Sequence, residues 1–265
     1  MTTLRSLPVL TDSVLAPRWV DISRAATCAA FDDENDVPYE RIRKARLLTP
    51  PGANTKLSKG SVPIYGLTLA PAGMSGYQLC PWRSPECEAA CLGVTAGRSR
   101  FSNVQEARIL KTRHLMVNPY FFFRQLYSEL TMALSKHGPD GFAFRSNVLS
   151  DIPWEKIAPE IYGYTTHNYD YTKSFKRAMD SLSNPNLHLT LSHSGHNYED
   201  CIMYLNAGGN VAVVFYGDLP DRLWGVPVIN GDLHDARFLD PKGGCIVGLK
   251  AKGNIDTSSC FVVTP

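Results

Sequence analysis

The sequence predicts an α/β fold, a complete or partial TIM-like (β/α) barrel preceded by an N-terminal extension. Short apolar runs recur from residue 61 onward, and such runs are typical of strands that are buried on both faces of a parallel sheet. Helix-like segments separate the early runs, which indicates βαβ units. Six or seven such units without a GxGxxG motif after a strand favour a barrel over a doubly wound sheet.

The predicted elements follow from this alternation. The predicted helices begin or end at capping residues, with Ser102 as the expected N-cap of the first and Gly138 beyond the second; they cover residues 102–116, 118–136, 173–183 and 197–207. The predicted strands are rich in Val, Ile, Tyr and Phe; they cover residues 64–70, 142–148, 161–166, 187–193, 210–217, 226–230 and 245–251.

The domain organisation is predicted from a change of pattern near residue 60. Residues 1–60 lack clear periodicity and end shortly after a break at Pro50, Pro51 and Gly52. We interpret residues 1–60 as an extension packed on the core, and residues 61–265 as the barrel-like domain.

Composition narrows the function classes. The net charge of the 265-residue chain is +2, so no strong basic field argues for nucleic acid. The first residues lack the unbroken apolar stretch of a secretory signal, and no window has the roughly 18 apolar residues of a membrane span. We therefore expect a cytoplasmic protein without a membrane partner. Seven cysteines, an odd number, argue against a disulfide framework in such a compartment.

Three of the cysteines form the strongest motif. Cys80, Cys87 and Cys91 have the spacing C-x6-C-x3-C in the loop after the first predicted core strand. Thiolates suit iron–sulfur clusters and zinc, and three on one loop can bind three irons of a [4Fe–4S] cubane. A structural zinc ion needs a fourth ligand, which Cys245 or Cys260 would have to supply. The loop would lie at the mouth of the barrel, where functional groups gather.

The segment GDLHDAR, residues 231–237, has more polarity than a turn needs. Asp232, His234 and Asp235 are therefore the candidate catalytic residues, since His transfers protons near neutral pH and Asp can orient it. Candidate cofactor-binding residues are Asn54, Lys56, Asn147, His193 and Lys250. Structural roles are the alternative for all of them. Asp and Asn can cap a helix or fix a turn, and a His at a strand end can be a hydrogen-bonded structural residue. Lys250 can be a solvated residue of an edge strand, and Asn54 and Lys56 can belong to a solvated turn. Further polar residues near predicted strand ends are Arg145, Asp151, Thr165, His167, Tyr169, His196, Tyr216, Asp218, Asn230 and Lys252.

Five further pieces of the sequence are informative together: NTKLSKG (54–60), LAPAG (69–73), CPWRSPECEAACL (80–92), YDYTKS (169–174) and GDLHDARFLDPKGGCIVGLKAKG (231–253). They resemble the "gene product 88" family of phage-encoded proteins. The cysteine loop is also similar, more distantly, to that of radical S-adenosylmethionine enzymes, which carry three cysteines after the first strand of a partial barrel. Their usual spacing is C-x3-C-x2-C, from which this sequence departs in both intervals, and no GGE-type segment follows the second strand.

Two classes of function follow from these expectations. The first is an iron–sulfur enzyme, radical or redox, with S-adenosylmethionine as the co-substrate to test and a nucleotide, nucleic acid or host protein as substrate. The second is a non-catalytic iron–sulfur or zinc protein that senses redox state or binds a host factor or nucleic acid.

Overall fold

The computed structural model describes residues 46–53, 62–253 and 255–265. Its strands form one ten-stranded sheet; they are β1 (Leu48–Thr49), β2 (Ile64–Leu67), β3 (Ala143–Arg145), β4 (His167–Thr172), β5 (His188–Ser192), β6 (Val211–Phe215), β7 (Arg222–Leu223), β8 (Val226–Asn230), β9 (Ile246–Lys250) and β10 (Val262–Val263). The described α-helices are α1 (Pro85–Ala89), α2 (Leu92–Thr95), α3 (Ser102–Val117), α4 (Pro119–His137), α5 (Trp154–Ile157), α6 (Phe175–Ser181) and α7 (Tyr198–Asn206).

The strand order confirms a mixed α/β fold. Strands β2 to β6 lie side by side in chain order and are parallel, and β9 and then β8 continue the parallel part. Antiparallel β1 and β7 form the two edges, so within the described residues the path of paired strands is open.

The last strand has an unusual position. β5 pairs with Val211 and Ala212 at the beginning of β6, and β9 pairs with the whole of β6 on its other side. β10 pairs with Val214 and Phe215, so it continues the β5 side of β6 beyond the point where β5 ends. The C-terminal tail therefore returns to the loop that follows β5.

Helices cover one face of the sheet with apolar side chains. In α4, Phe122, Leu126 and Leu130 recur at intervals of four residues and are fully buried in the main core, as expected for an amphipathic helix. A second cluster joins α6 and α7 to β6 through residues such as Ala178 and Tyr204. Among the described residues no helix is both long and apolar enough to cross a membrane.

The opposite face of the sheet is covered by residues 231–240. Ala236 packs there with Ile64, Ala143 and Tyr169, which alternate along their strands with residues of the helix-covered face. The same segment also buries Asp235, Arg237 and Asp240, so this cover is largely ionic.

One predicted strand is wrong. Residues 161–166 overlap a 3₁₀ helix, Pro159–Gly163, and the strand begins only at His167. Ile161, Tyr162 and Tyr164 are apolar because they fill the main core beneath the helices, and the Thr165 hydroxyl group binds the carbonyl of Phe142 in a turn. The N-cap of α3 is Phe101 rather than Ser102, which is the first residue of the helix.

Candidate functional site

The three loop cysteines follow β2 at the carboxyl edge of the parallel strands. Cys80 precedes α1, Cys87 lies within it, and Cys91 is the N-cap of α2. The Ser84 hydroxyl caps α1 by accepting a hydrogen bond from the backbone N–H of Cys87 at 3.2 Å, and donates to the carbonyl of Ser194 after β5. The loop is thereby attached to a second strand end.

The three thiols lie close enough to influence one another. All are partly buried; burial raises the pKa of Cys80 to about 12, with further raising effects from Asp151, Cys91 and Cys87. Within the described residues they do not form a group with all ligand atoms within 4.8 Å of one another. A single zinc ion, with Zn–S bonds of about 2.3 Å, would require such a group, whereas a cubane places its thiolates on different irons.

A hydrogen-bond donor lies at Cys80, and a donor and two cations act on Cys91. The backbone N–H of Ala72 donates to Cys80 Sγ at 3.4 Å. Burial raises the pKa of Cys91. A hydrogen bond from the backbone of Gly93 and the positive charges of Lys173 and Arg108 lower this pKa and so offset part of the effect of burial. Donors and cations of this kind stabilise thiolates and tune clusters.

A buried ion-pair network lies beneath the loop. The Arg177 guanidinium binds Asp151 and also both carboxylate oxygens of Glu155, at 2.7 and 2.9 Å. The Trp82 ring of the cysteine loop lies 5.4 Å from this guanidinium. The N–H of Asp151 donates to the carbonyl of Leu79, so Asp151 connects the ion pair to the residue before Cys80.

Two of the predicted cofactor-binding residues lie near this edge. The Asn147 side chain accepts from Ser150, Ile152 and Trp154 and donates to the carbonyl of Ile152, so it fixes the loop after β3. His193 is buried after β5 with Trp224 at its edge, and burial, with Lys173 nearby, lowers its pKa to about 4. A neutral imidazole is thus expected there at neutral pH.

The other predicted cofactor-binding residues are elsewhere. Lys250 ends β9, where its Nζ lies 3.0 Å from Asp218 in solvent. Asn54 and Lys56, like Cys28, are outside the described residues.

The structure separates the three predicted catalytic residues. Asp232 lies near the surface and binds Lys252 Nζ at 2.5 Å and the backbone N–H of Lys250 at 3.0 Å. His234 contacts Arg237, with 3.1 Å between Nδ1 and a guanidinium nitrogen.

Asp235 lies inside the protein and is fully buried. It binds the Arg145 guanidinium at 2.7 Å and accepts a hydrogen bond from the Tyr169 hydroxyl at 2.8 Å. Arg237 and Asp240 form a further buried ion pair at 3.3 Å.

Three expected positions change with the shifted strand. Thr165 precedes β4 at the amino edge of the parallel strands, and His167 and Tyr169 lie within β4 instead of after it. Both rings pack on Phe238 of the segment that covers the sheet. The rings of His167 and Tyr169 therefore lie on the face covered by residues 231–240, because the strand begins later than expected.

A further group lies beside the cysteine loop. Glu86, His196 and Cys260 are the three described residues whose potential metal-ligating atoms all lie within 4.8 Å of one another. His196 Nε2 is 3.2 Å from Glu86 Oε1 and 3.5 Å from Cys260 Sγ. Glu86 was not predicted; its position beside Cys87 is the signal that could have found it.

The family model for gene product 88 matches residues 42–263 of the chain. This range includes the cysteine loop, the segment 231–240 and the tail up to β10. No curated protein and no solved structure matches the chain. The match covers most of the sequence, and the chain therefore belongs to the gene product 88 family.

Proposed function

We propose that the protein binds a [4Fe–4S] cluster through Cys80, Cys87 and Cys91. The observation that carries the proposal is the convergence of three partly buried thiols on one loop. Backbone N–H groups and the positive charges of Arg108 and Lys173 lie beside them, where they would offset the negative charge of the thiolates and of the cluster. Free thiols need no such surroundings.

We further propose that the sheet forms a partial barrel with the cluster at its mouth. Parallel strands that lie side by side in chain order, as β2 to β6 do, are the pattern of a (β/α) barrel. The cysteine loop follows the first of them, and residues 231–240 cover the face opposite the helices. That cover would occupy the place of a barrel interior.

Cluster-dependent enzymatic chemistry is the first candidate function. Three cysteine ligands leave one iron for an exchangeable ligand, and S-adenosylmethionine is the co-substrate to test despite the difference in spacing. Lys173 and His193 adjoin the proposed site and would help to bind a substrate, which we expect to be a nucleotide, a nucleic acid or a host protein. Asp232, His234 and Asp235 stay predictions as catalytic groups.

A non-catalytic role is the second candidate, and one surface favours it. Leu92 and Phe101 are exposed, Phe101 by 60%, and Arg98 and Arg100 lie on the short helical turn between them. An exposed aromatic ring among arginines suits a protein or nucleic-acid partner. A cluster or zinc ion in the adjacent loop would then sense redox state or stabilise a binding surface.

Metal analysis tests the cluster. Anaerobically purified protein should be brown and contain about four irons and four sulfides per chain. Cys80→Ala, Cys87→Ala and Cys91→Ala should each remove or degrade the cluster, and the buried Cys201, which lies in α7, provides the control Cys201→Ala. Colourless protein with stoichiometric zinc, or equal loss in the control, contradicts the proposal.

Spectroscopy then separates the two candidate functions. The electron paramagnetic resonance signal of the reduced cluster should change when S-adenosylmethionine binds at an open iron. An unchanged signal with intact cluster content would support the non-catalytic function.

A further inference from the structure

Glu86, His196 and Cys260 come from three separate parts of the chain. Glu86 lies in α1, His196 follows β5, and Cys260 lies in the tail just before β10. Their contacts span sequence separations of 110 and 64 residues. Such a meeting of one carboxylate, one imidazole and one thiol is a product of the tertiary structure.

The geometry is that of a ligand set and differs from a catalytic relay. In a Cys–His–Glu relay the thiol and the carboxylate would bind different ring nitrogens. Here both approach the same atom, His196 Nε2, at 3.5 and 3.2 Å. Three ligand atoms that converge on one point, all within 4.8 Å of one another, leave room for one ion between them.

Two features of the backbone bring Cys260 to this point. β10 pairs with β6 beyond the end of β5, which directs the tail toward the loop that contains His196. Gly195 has φ +90°, and a Cβ at this position would lie 2.6 Å from Cys260 Sγ. Only glycine allows both this backbone conformation and the close approach of the sulfur atom.

Glu86 contributes the third ligand of the group. Its side chain is 27% exposed, its Oε1 atom lies 3.2 Å from His196 Nε2, and its Oε2 atom is enclosed by neighbouring atoms. A cation between these groups would take the carboxylate and the imidazole as ligands together. Nearby Glu88, on the same short helix, instead binds Arg83.

We propose that Glu86, His196 and Cys260 bind one Zn²⁺ ion at a site distinct from the three loop cysteines. Mixed sulfur, nitrogen and oxygen ligands suit zinc. Three protein ligands leave a fourth position for water or a substrate atom, as in catalytic zinc sites, and the exposure of His196 and Cys260 keeps that position open to solvent. The site adds a Lewis acid beside the cysteine loop.

Cobalt binding tests the site in the full chain. Co²⁺ reports zinc sites by its visible absorption, with charge-transfer bands when a thiolate is bound. We expect one Co²⁺ per chain, displaced by Zn²⁺, in a Cys80→Ser, Cys87→Ser, Cys91→Ser variant. Protein with unchanged cysteines whose cluster has been assembled beforehand should also bind one Co²⁺ per chain. This second sample still tests the site if the triple variant does not fold.

Substitution of the ligands completes the test. Cys260→Ser should abolish the charge-transfer bands, and His196→Ala and Glu86→Gln should each weaken Co²⁺ binding by at least about tenfold. The matched control Glu88→Gln should leave the affinity unchanged. Charge-transfer bands that persist in Cys260→Ser, or no Co²⁺ binding in either cysteine background, would overturn the proposal. The result in the triple variant is independent of whether Cys80, Cys87 and Cys91 bind a cluster, so the two proposals can fail separately.

Discussion

Replacement of Asp235 by Asn should strongly destabilise the fold. The substitution keeps the shape of the side chain but removes the charge 2.7 Å from the Arg145 guanidinium. Breaking a buried ion pair by removing one partner costs about 3–5 kcal/mol. Asp170 still lies 3.7 Å from Arg145, so we expect the lower end, about 3 kcal/mol, a large part of the about 5–15 kcal/mol available to a typical domain.

Urea denaturation measures this loss as the change in the free energy of unfolding. The matched control is Asp218→Asn, because the Asp218 side chain is 99% exposed and pairs with Lys250 in solvent. Such pairs contribute about 0–1 kcal/mol. A loss below about 1 kcal/mol in Asp235→Asn with an unchanged slope against urea would refute the structural reasoning. If Asp235→Asn instead kept its full free energy of unfolding but lost a cluster-dependent activity of the protein, the result would support the predicted catalytic role of Asp235.

Three further predictions concern residues that are not proposed metal ligands, one of which caps the helix of the cysteine loop. Burial raises the pKa of Asp170 from 3.8 to about 7. The free energy of unfolding should therefore fall as pH rises from 3.8 to about 7, because the folded state keeps the proton longer than the unfolded state. Asp170→Asn should flatten this pH dependence in urea titrations repeated across pH, and a pH dependence equal to that of the unmodified protein would contradict the prediction. Gly209→Ala should destabilise by about 1–3 kcal/mol, since its Cβ would lie 2.2 Å from the Tyr204 ring, whereas Gly163→Ala meets no atom within 4 Å; equal thermal shifts would refute this. Ser84→Ala should cost about 1 kcal/mol through loss of the α1 cap and should speed cluster loss under air; identical decay would show that the cap does not support the loop.

The mixed α/β character of the fold was predictable because several strands are apolar on both faces. Predicted strands at 187–193 and 210–217 coincide with β5 and β6. β4, His167–Thr172, was missed because one of its buried faces is polar: Asn168 binds the carbonyls of Tyr162 and Thr165, and Asp170 accepts from Ser146. Hydrophobic periodicity cannot detect a strand whose buried side chains are satisfied by hydrogen bonds.

The two candidate metal sites also differ in how far the sequence predicts them. Cys80, Cys87 and Cys91 were predicted to lie together because they fall in one loop, so their proximity is a local property of the chain. Glu86 and His196 meet across 110 residues, and no spacing rule relates them. The catalytic role of Asp235 stays a prediction, but composition alone does not show that its carboxylate lies inside the protein in an ion pair with Arg145.

The two faces of the sheet limit where chemistry can take place. Helices close one face with apolar side chains, and residues 231–240 close the other, where Asp235 meets Arg145 and Arg237 meets Asp240. Buried ion pairs of this kind are expensive to open, since each separated charge would lie unpaired in the interior. Within the part of the chain that the structure describes, a substrate of the proposed sites would therefore approach the carboxyl edge of the parallel strands rather than either face. That edge carries the cysteine loop, the loop after β5 and the returning tail, so the proposed cluster and the proposed zinc ion would share one approach from solvent.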